Sequence, residues 1–131
     1  MAIILDGKML RDKIFESLKA KLDKMQQKPT LAVILVGENP ASQIYVRNKK
    51  NTAEKLGINS LSIEYPSDIS EEELLNKIKE LNSDEKVTAI LVQLPLPAHI
   101  NKNRIIDAIL PQKDVDGLTP YNLGKLFSGE E

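Results

Sequence analysis

The sequence predicts an α/β fold, a three-layer α/β/α domain with a mostly parallel sheet. Three observations carry this. Short apolar runs alternate with longer stretches of helical period, the pattern of strand–helix–strand units. One run, VTAILV at 87–92, is apolar almost throughout, as expected of a central strand covered on both faces. Prolines and glycines stand between the runs, at Pro29, Gly57 and Pro66, where breakers belong.

Taken in order, 2–5 reads as a short strand. Asp6 can cap a long helix over 8–26, with Leu10, Ile14, Leu18 and Leu22 along one face. Lys28-Pro29 ends it. A buried strand follows at 31–36, then a turn at 37–39. Pro40 sits at a helix's first turn, where its missing N–H costs nothing. That helix runs to Leu56 and stops at Gly57, a good residue just past a helix end. A third strand at 60–65 puts Leu61, Ile63 and Tyr65 on one face. Ser70 and Glu73 form a capping box that opens a helix through Leu74, Leu75, Ile78 and Leu81. The fourth strand is 87–92. Asn101 can cap a further helix with Ile105, Ile106 and Ile109. No internal repeat, low-complexity stretch or linker interrupts the chain, which reads as one domain over 1–131.

The helix after Pro40 is the informative one. At about 100° per residue, Ser42, Tyr45, Val46, Lys49, Ala53 and Leu56 fall on one side, and Arg47, Lys50, Asn51 and Glu54 on the other. Lys49 therefore lies in the inward stripe, one turn after Tyr45. Two readings stand. Its stem covers apolar surface while its ammonium reaches out to water. Or it is a partly desolvated amine at the floor of a cleft, useful as an acid or base, with the Tyr45 ring and hydroxyl beside it.

Composition excludes several classes. The chain has 131 residues, 41% hydrophobic and 28% charged, with a net charge of −1. That balance gives no footing for nucleic acid or an anionic membrane as partner. Cysteine is absent, which rules out disulfides and thiolate metal sites and fits a reducing compartment. A lone histidine, His99, leaves no metal cluster, so no metal is expected. The N-terminus lacks a signal peptide's apolar core, and no apolar run nears membrane-spanning length. The expected location is cytoplasmic.

Open α/β sheets bind ligands outside the carboxyl ends of their strands. Two such ends stand out: the one that leads into the Tyr45/Lys49 helix, and the one that leads into Gln93-Leu94-Pro95-Leu96-Pro97. The prolines stop the sheet and leave backbone groups unused, and Gln93 offers both a donor and an acceptor. A rigid connecting turn with Gln93 in water is the plainer alternative. A third stretch, Lys113-Asp114-Val115-Asp116-Gly117, has neither helical nor strand period. Asp116 there can grip an amino–imino edge of a heterocycle with two parallel hydrogen bonds, or simply form an Asp-Gly turn. Phosphate-cradling glycine motifs and G-x-S-x-G are absent. Any chemistry must use lysine, tyrosine, amide and carboxylate.

Together the segments VGENPASQIYVRNKKNTAEKLGI, VQLPLPAHI and PQKDVDGLTPYNLGKL resemble the signature segments of bifunctional methylenetetrahydrofolate dehydrogenase/methenyltetrahydrofolate cyclohydrolase, in its N-terminal catalytic domain. The resemblance spans the chain, including Asp6 to Lys8. It implies the first, tetrahydrofolate-binding domain of a two-domain dehydrogenase, acting on 5,10-methylene-, 5,10-methenyl- and 10-formyl-tetrahydrofolate. By the resemblance, Lys49 is the catalytic acid/base of the water step and Tyr45 stacks on and orients the folate. Gln93 tunes the lysine, and Asp116 holds the pterin's amino-pyrimidine edge. Ser42, Leu94 and Pro95 join Tyr45 and Asp116 as folate-binding residues. The family's cofactor, NADP or in some members NAD, is bound by a second, Rossmann-like half, which is absent from this chain, and the whole protein is expected to be a homodimer. The run at 126–129 looks like the approach to that half. The dehydrogenase step is therefore not expected from this chain alone. A different class of function, a non-catalytic α/β binding or dimerisation module, shares the same fold.

Overall fold

The computed structural model describes residues 4–130. The elements run α1 (Gly7–Asp23), β1 (Thr30–Val36), α2 (Pro40–Leu56), β2 (Asn59–Tyr65), α3 (Glu71–Ser83), β3 (Ala89–Val92), α4 (Lys102–Asp107) and α5 (Pro120–Ser128). β2, β1 and β3 form a parallel sheet in that order, with helical crossovers α2 and α3. The strand–helix alternation thus closes as the α/β fold expected.

Side chains alternate across the sheet, and the two faces are filled differently. Ala32, Ile34 and Val36 of β1, with Ile90 and Val92 of β3, pack against Leu74, Ile78 and Leu81 of α3 and Ile105 of α4. Val33 and Leu35 of β1 and Leu91 of β3 face the other way, onto Val46 of α2. β2 follows the same division. Ile63 and Tyr65 join the α3 side. Ser62 stands opposite Val33 in register, on the α2 side, and the hydroxyls of Ser60 and Ser62 are buried with no hydrogen-bond partner among the described residues.

The caps are those the sequence names. Asp6 accepts from Lys8 N–H and Met9 N–H, and Ser70 and Glu73 form the reciprocal box. Pro40 opens α2, and Gly57 closes it at a φ of 84°, a left-handed conformation that favours glycine.

Four expectations need correction. The strand at 2–5 is not found: Ala2 and Ile3 lie outside the described residues, while Ile4 and Leu5 are exposed and in no strand. A strand needs an edge to pair with, and these two residues meet none. The α1 stripe exists, but only Leu22 is buried, and Leu10, Ile14 and Leu18 stay exposed, because α1 packs mainly against α2. The fourth expected strand is shorter, Ala89–Val92. Finally, α5 was not anticipated, although Thr119 caps it and Pro120 opens it.

Candidate active site

The carboxyl ends of β1 and β3 bring the distant segments together. α2 starts after β1 and runs back down the sheet, so its inward stripe overhangs Leu31 and Leu91. Within that stripe Ser42, Val46, Ala53 and Leu56 are buried and Lys49 is half-buried. Its Nζ donates to Gln93 Oε1 at 3.1 Å. Gln93 follows the last residue of β3, and its backbone N–H donates to the Ile34 carbonyl, which extends the sheet by one bond. The Gln93 Nε2 in turn donates to the Leu94 carbonyl at 2.9 Å. That second bond fixes which end of the amide faces Lys49: the nitrogen is taken, so the oxygen meets the ammonium. The Leu94–Pro95 peptide is cis.

Asp116 comes from the far side. The 113–114 segment runs along the open edge of β3, where Ile90 N–H donates to the Lys113 carbonyl at 2.7 Å and Ile90 pairs with Asp114. Gly117 then turns the chain at a φ of 66°. Val115 and Asp116 are left exposed on the rim. Among the described residues, nothing hydrogen-bonds to the Asp116 carboxylate.

The result is a cavity of about 400 Å³ with mostly apolar walls, lined by Tyr45, Lys49, Leu56, Leu91, Val115 and Asp116 among others. It has the size and character of a small-molecule site, with a few polar groups on apolar walls. A cation and an anion face the same space, and a flat ring can lie against Tyr45, which is 61% exposed. A second cavity of similar volume beside α5, lined by Pro111, Tyr121 and Lys125, holds none of the predicted site residues.

Tyr45, Lys49, Gln93 and Asp116 are thus brought together, three on the cavity and Gln93 bonded to Lys49. Ser42, Leu94 and Pro95 do not line it. Ser42 is buried in the first turn of α2, and its N–H donates to the Asn39 side chain. Sequence reasoning missed Asn48 and Thr52, which also line the cavity. They lie four residues apart on one flank of the Lys49 stripe, and the helical wheel carries that signal.

It gave no structural role to Asp114. Burial pushes this carboxyl up, but the N–H groups of Thr119 and Leu118, the Asn122 amide and the Thr119 hydroxyl outweigh that and hold it below the usual carboxylate range. Among the described residues, no three His, Asp or Glu side chains converge to hold a metal, and no helix is long and apolar enough to cross a membrane.

Comparison with known proteins gives a consistent picture. Residues 5–116 match the family described as tetrahydrofolate dehydrogenase/cyclohydrolase, catalytic domain. The chain is 54% identical to the bifunctional protein FolD of Ligilactobacillus salivarius, over 97% of this chain and 46% of that protein. Among solved structures it is similar to the bifunctional FolD methylenetetrahydrofolate dehydrogenase/cyclohydrolase of Campylobacter jejuni, at 49% identity and a TM-score of 0.95, covering 98% of this chain and 47% of that one. It is also similar to the Trypanosoma brucei enzyme complexed with NADP cofactor and inhibitor, at 35% identity and a TM-score of 0.90, covering 95% and 44%. The chain spans about half the length of the relatives it matches.

Proposed function

This chain belongs to the tetrahydrofolate dehydrogenase/cyclohydrolase family, as its catalytic domain, and from that premise we propose that it binds reduced folates in the Tyr45/Lys49/Asp116 cavity and supplies the acid/base group for methenyl-tetrahydrofolate hydrolysis. The observation that carries the reading is the Lys49–Gln93 bond beside that cavity. It joins two segments 44 residues apart and aims one amine at apolar space.

In this reading Asp116 grips the amino and imino nitrogens of the pterin with two parallel hydrogen bonds. Tyr45 offers its ring face to the flat part of the ligand. Water attacks the methenyl carbon, and Lys49, as the neutral amine with one N–H held by Gln93, takes its proton. The carbon–N5 bond then breaks as the new hydroxyl gives its proton to solvent and becomes the formyl carbonyl, N5 receives a proton from the same amine, and 10-formyl-tetrahydrofolate leaves with net release of one proton. Gln93 keeps the amine pointed at the reacting carbon throughout.

A nicotinamide dinucleotide, NADP or NAD, would supply the hydride acceptor for the oxidative step of the family. The residues present do not fit a dinucleotide. The β1–α2 turn holds one glycine, Gly37, and then Glu38, whose carboxylate opposes a pyrophosphate, and Asn39 already occupies the helix start. We therefore assign the cofactor to the part of the relatives that this chain does not cover, and no dehydrogenase activity to this chain alone. A cytoplasmic setting and a homodimeric whole protein belong to the same reading.

Loss of 5,10-methenyltetrahydrofolate absorbance tests it, with buffer hydrolysis as the reference. The chain should accelerate the loss, and Lys49→Ala should cut the acceleration by about 100-fold or more while changing stability by less than about 0.5 kcal/mol. Equal acceleration by both proteins would remove Lys49 from the chemistry.

A further inference from the structure

We propose that Asp114 is the positioning residue for Asp116: its carboxylate closes the 114–119 turn and so aims the Asp116 carboxylate into the folate cavity. The inference rests on the reading of Asp116 as the group that grips the pterin edge.

Asp116 cannot place itself. It is exposed and, among the described residues, has no hydrogen-bond partner, and Val115 beside it is exposed too. Its position must come from the frame on either side. Upstream the frame is Lys113. Its carbonyl accepts from Ile90 N–H, and its ammonium donates to the carbonyls of Leu81 at 2.9 Å and Asp84 at 2.8 Å. Downstream the frame is the start of α5. One side chain joins the two. Asp114 Oδ1 accepts from Leu118 N–H at 3.2 Å, and Oδ2 accepts from Thr119 N–H at 2.8 Å and from Asn122 Nδ2 at 2.9 Å. The same Asn122 nitrogen donates to the Pro111 carbonyl at 2.9 Å, which ties α5 back to the chain before the turn.

An ionised acceptor makes stronger bonds than a neutral one. Three on one carboxylate brace a loop in which, of residues 114–119, only Thr119 is buried. The need is specific to the ligand contact, because a bidentate grip fails when its carboxylate is misplaced by about an ångström.

The test is a mutant cycle read by calorimetric titration of tetrahydrofolate into this chain, below the melting temperature of every variant. Asp114→Asn keeps the shape but turns one acceptor oxygen into a donor that faces Thr119 N–H and the Asn122 amide. It should weaken binding tenfold or more when Asp116 is present, and less than twofold in an Asp116→Asn background. Asn122→Ala should give the same pattern, several-fold in size, and carries the cycle if Asp114→Asn does not fold. Amide exchange at Leu118 and Thr119 should quicken in both variants while the amides of β1 stay protected. An equal loss in both backgrounds would make Asp114 a merely structural residue and overturn the proposal. So would unchanged affinity in Asp114→Asn. A parent chain that does not bind tetrahydrofolate at all would overturn the folate reading, and the proposal with it.

Discussion

Among the described residues, thirteen buried side chains form one cluster on the α3 and α4 side of the sheet; on the α2 side only Val33, Leu35, Val46 and Leu91 do. The same three strands build both faces, so the difference lies in what covers them. Leu74, Ile78 and Ile105 cover the first face and are themselves fully buried. The second is covered by one helix whose stripe is interrupted by a lysine, and beside that helix Leu31, Leu56 and Leu91 form the wall of a cavity. One face spends its apolar surface on stability. The other leaves apolar surface for a ligand and places polar groups around it. β2 shows the same contrast within one strand, with Ile63 and Tyr65 toward the closed face and Ser60 and Ser62 toward the open one.

The largest expected effect sharpens this contrast directly. Leu74→Ala on the closed face should cost about 4 kcal/mol, and Leu91→Ala on the open face about 2 kcal/mol, since a site that borders a cavity relaxes and rehydrates more easily. Urea denaturation measures both. Equal losses would mean that the two faces are packed alike.

A smaller change should come with acid. The Asp114 pKa is lowered in the folded chain, so its contribution is present above the unfolded carboxyl pKa and is lost as pH falls through the folded one. Stability measured from pH 7 downward should therefore decline more for the parent than for Asp114→Asn, below the ordinary aspartate range. Parallel declines would break the link between that carboxylate and the turn beside the open face.

The smallest effect concerns the serines. The Ser62 hydroxyl is buried without a partner, and such a group costs free energy for as long as it stays unpaired. Ser62→Val should raise stability by up to about 1 kcal/mol, read as a higher denaturation midpoint. A loss would show that the hydroxyl is satisfied in solution.

The closed face was legible from sequence because periodicity reports burial. Leu74, Ile78 and Leu81 repeat at helical spacing after a capping box, and all three are buried. The open face was legible in part. The wheel placed Lys49 inward beside Ala53 and Leu56, yet its meeting with Gln93 is a tertiary contact that no local pattern encodes, and only the family resemblance joined them beforehand. The α1 stripe shows the opposite failure. Leu10, Ile14 and Leu18 have the period of a buried face and remain exposed, because a period says which residues share a side and not what lies against it. α5 was missed for a simpler reason. Thr119-Pro120 is an ordinary helix start two residues past the glycine, but the helix that it opens is short and buries none of its side chains.

The most direct test of the two-face account is a tetrahydrofolate titration followed by amide chemical shifts over the whole chain. The account predicts saturable shifts along 45–56, at 91–94 and at 115–117, with α3 and α4 unmoved. Shifts centred on α3 and α4, or none anywhere at saturating folate, would contradict it.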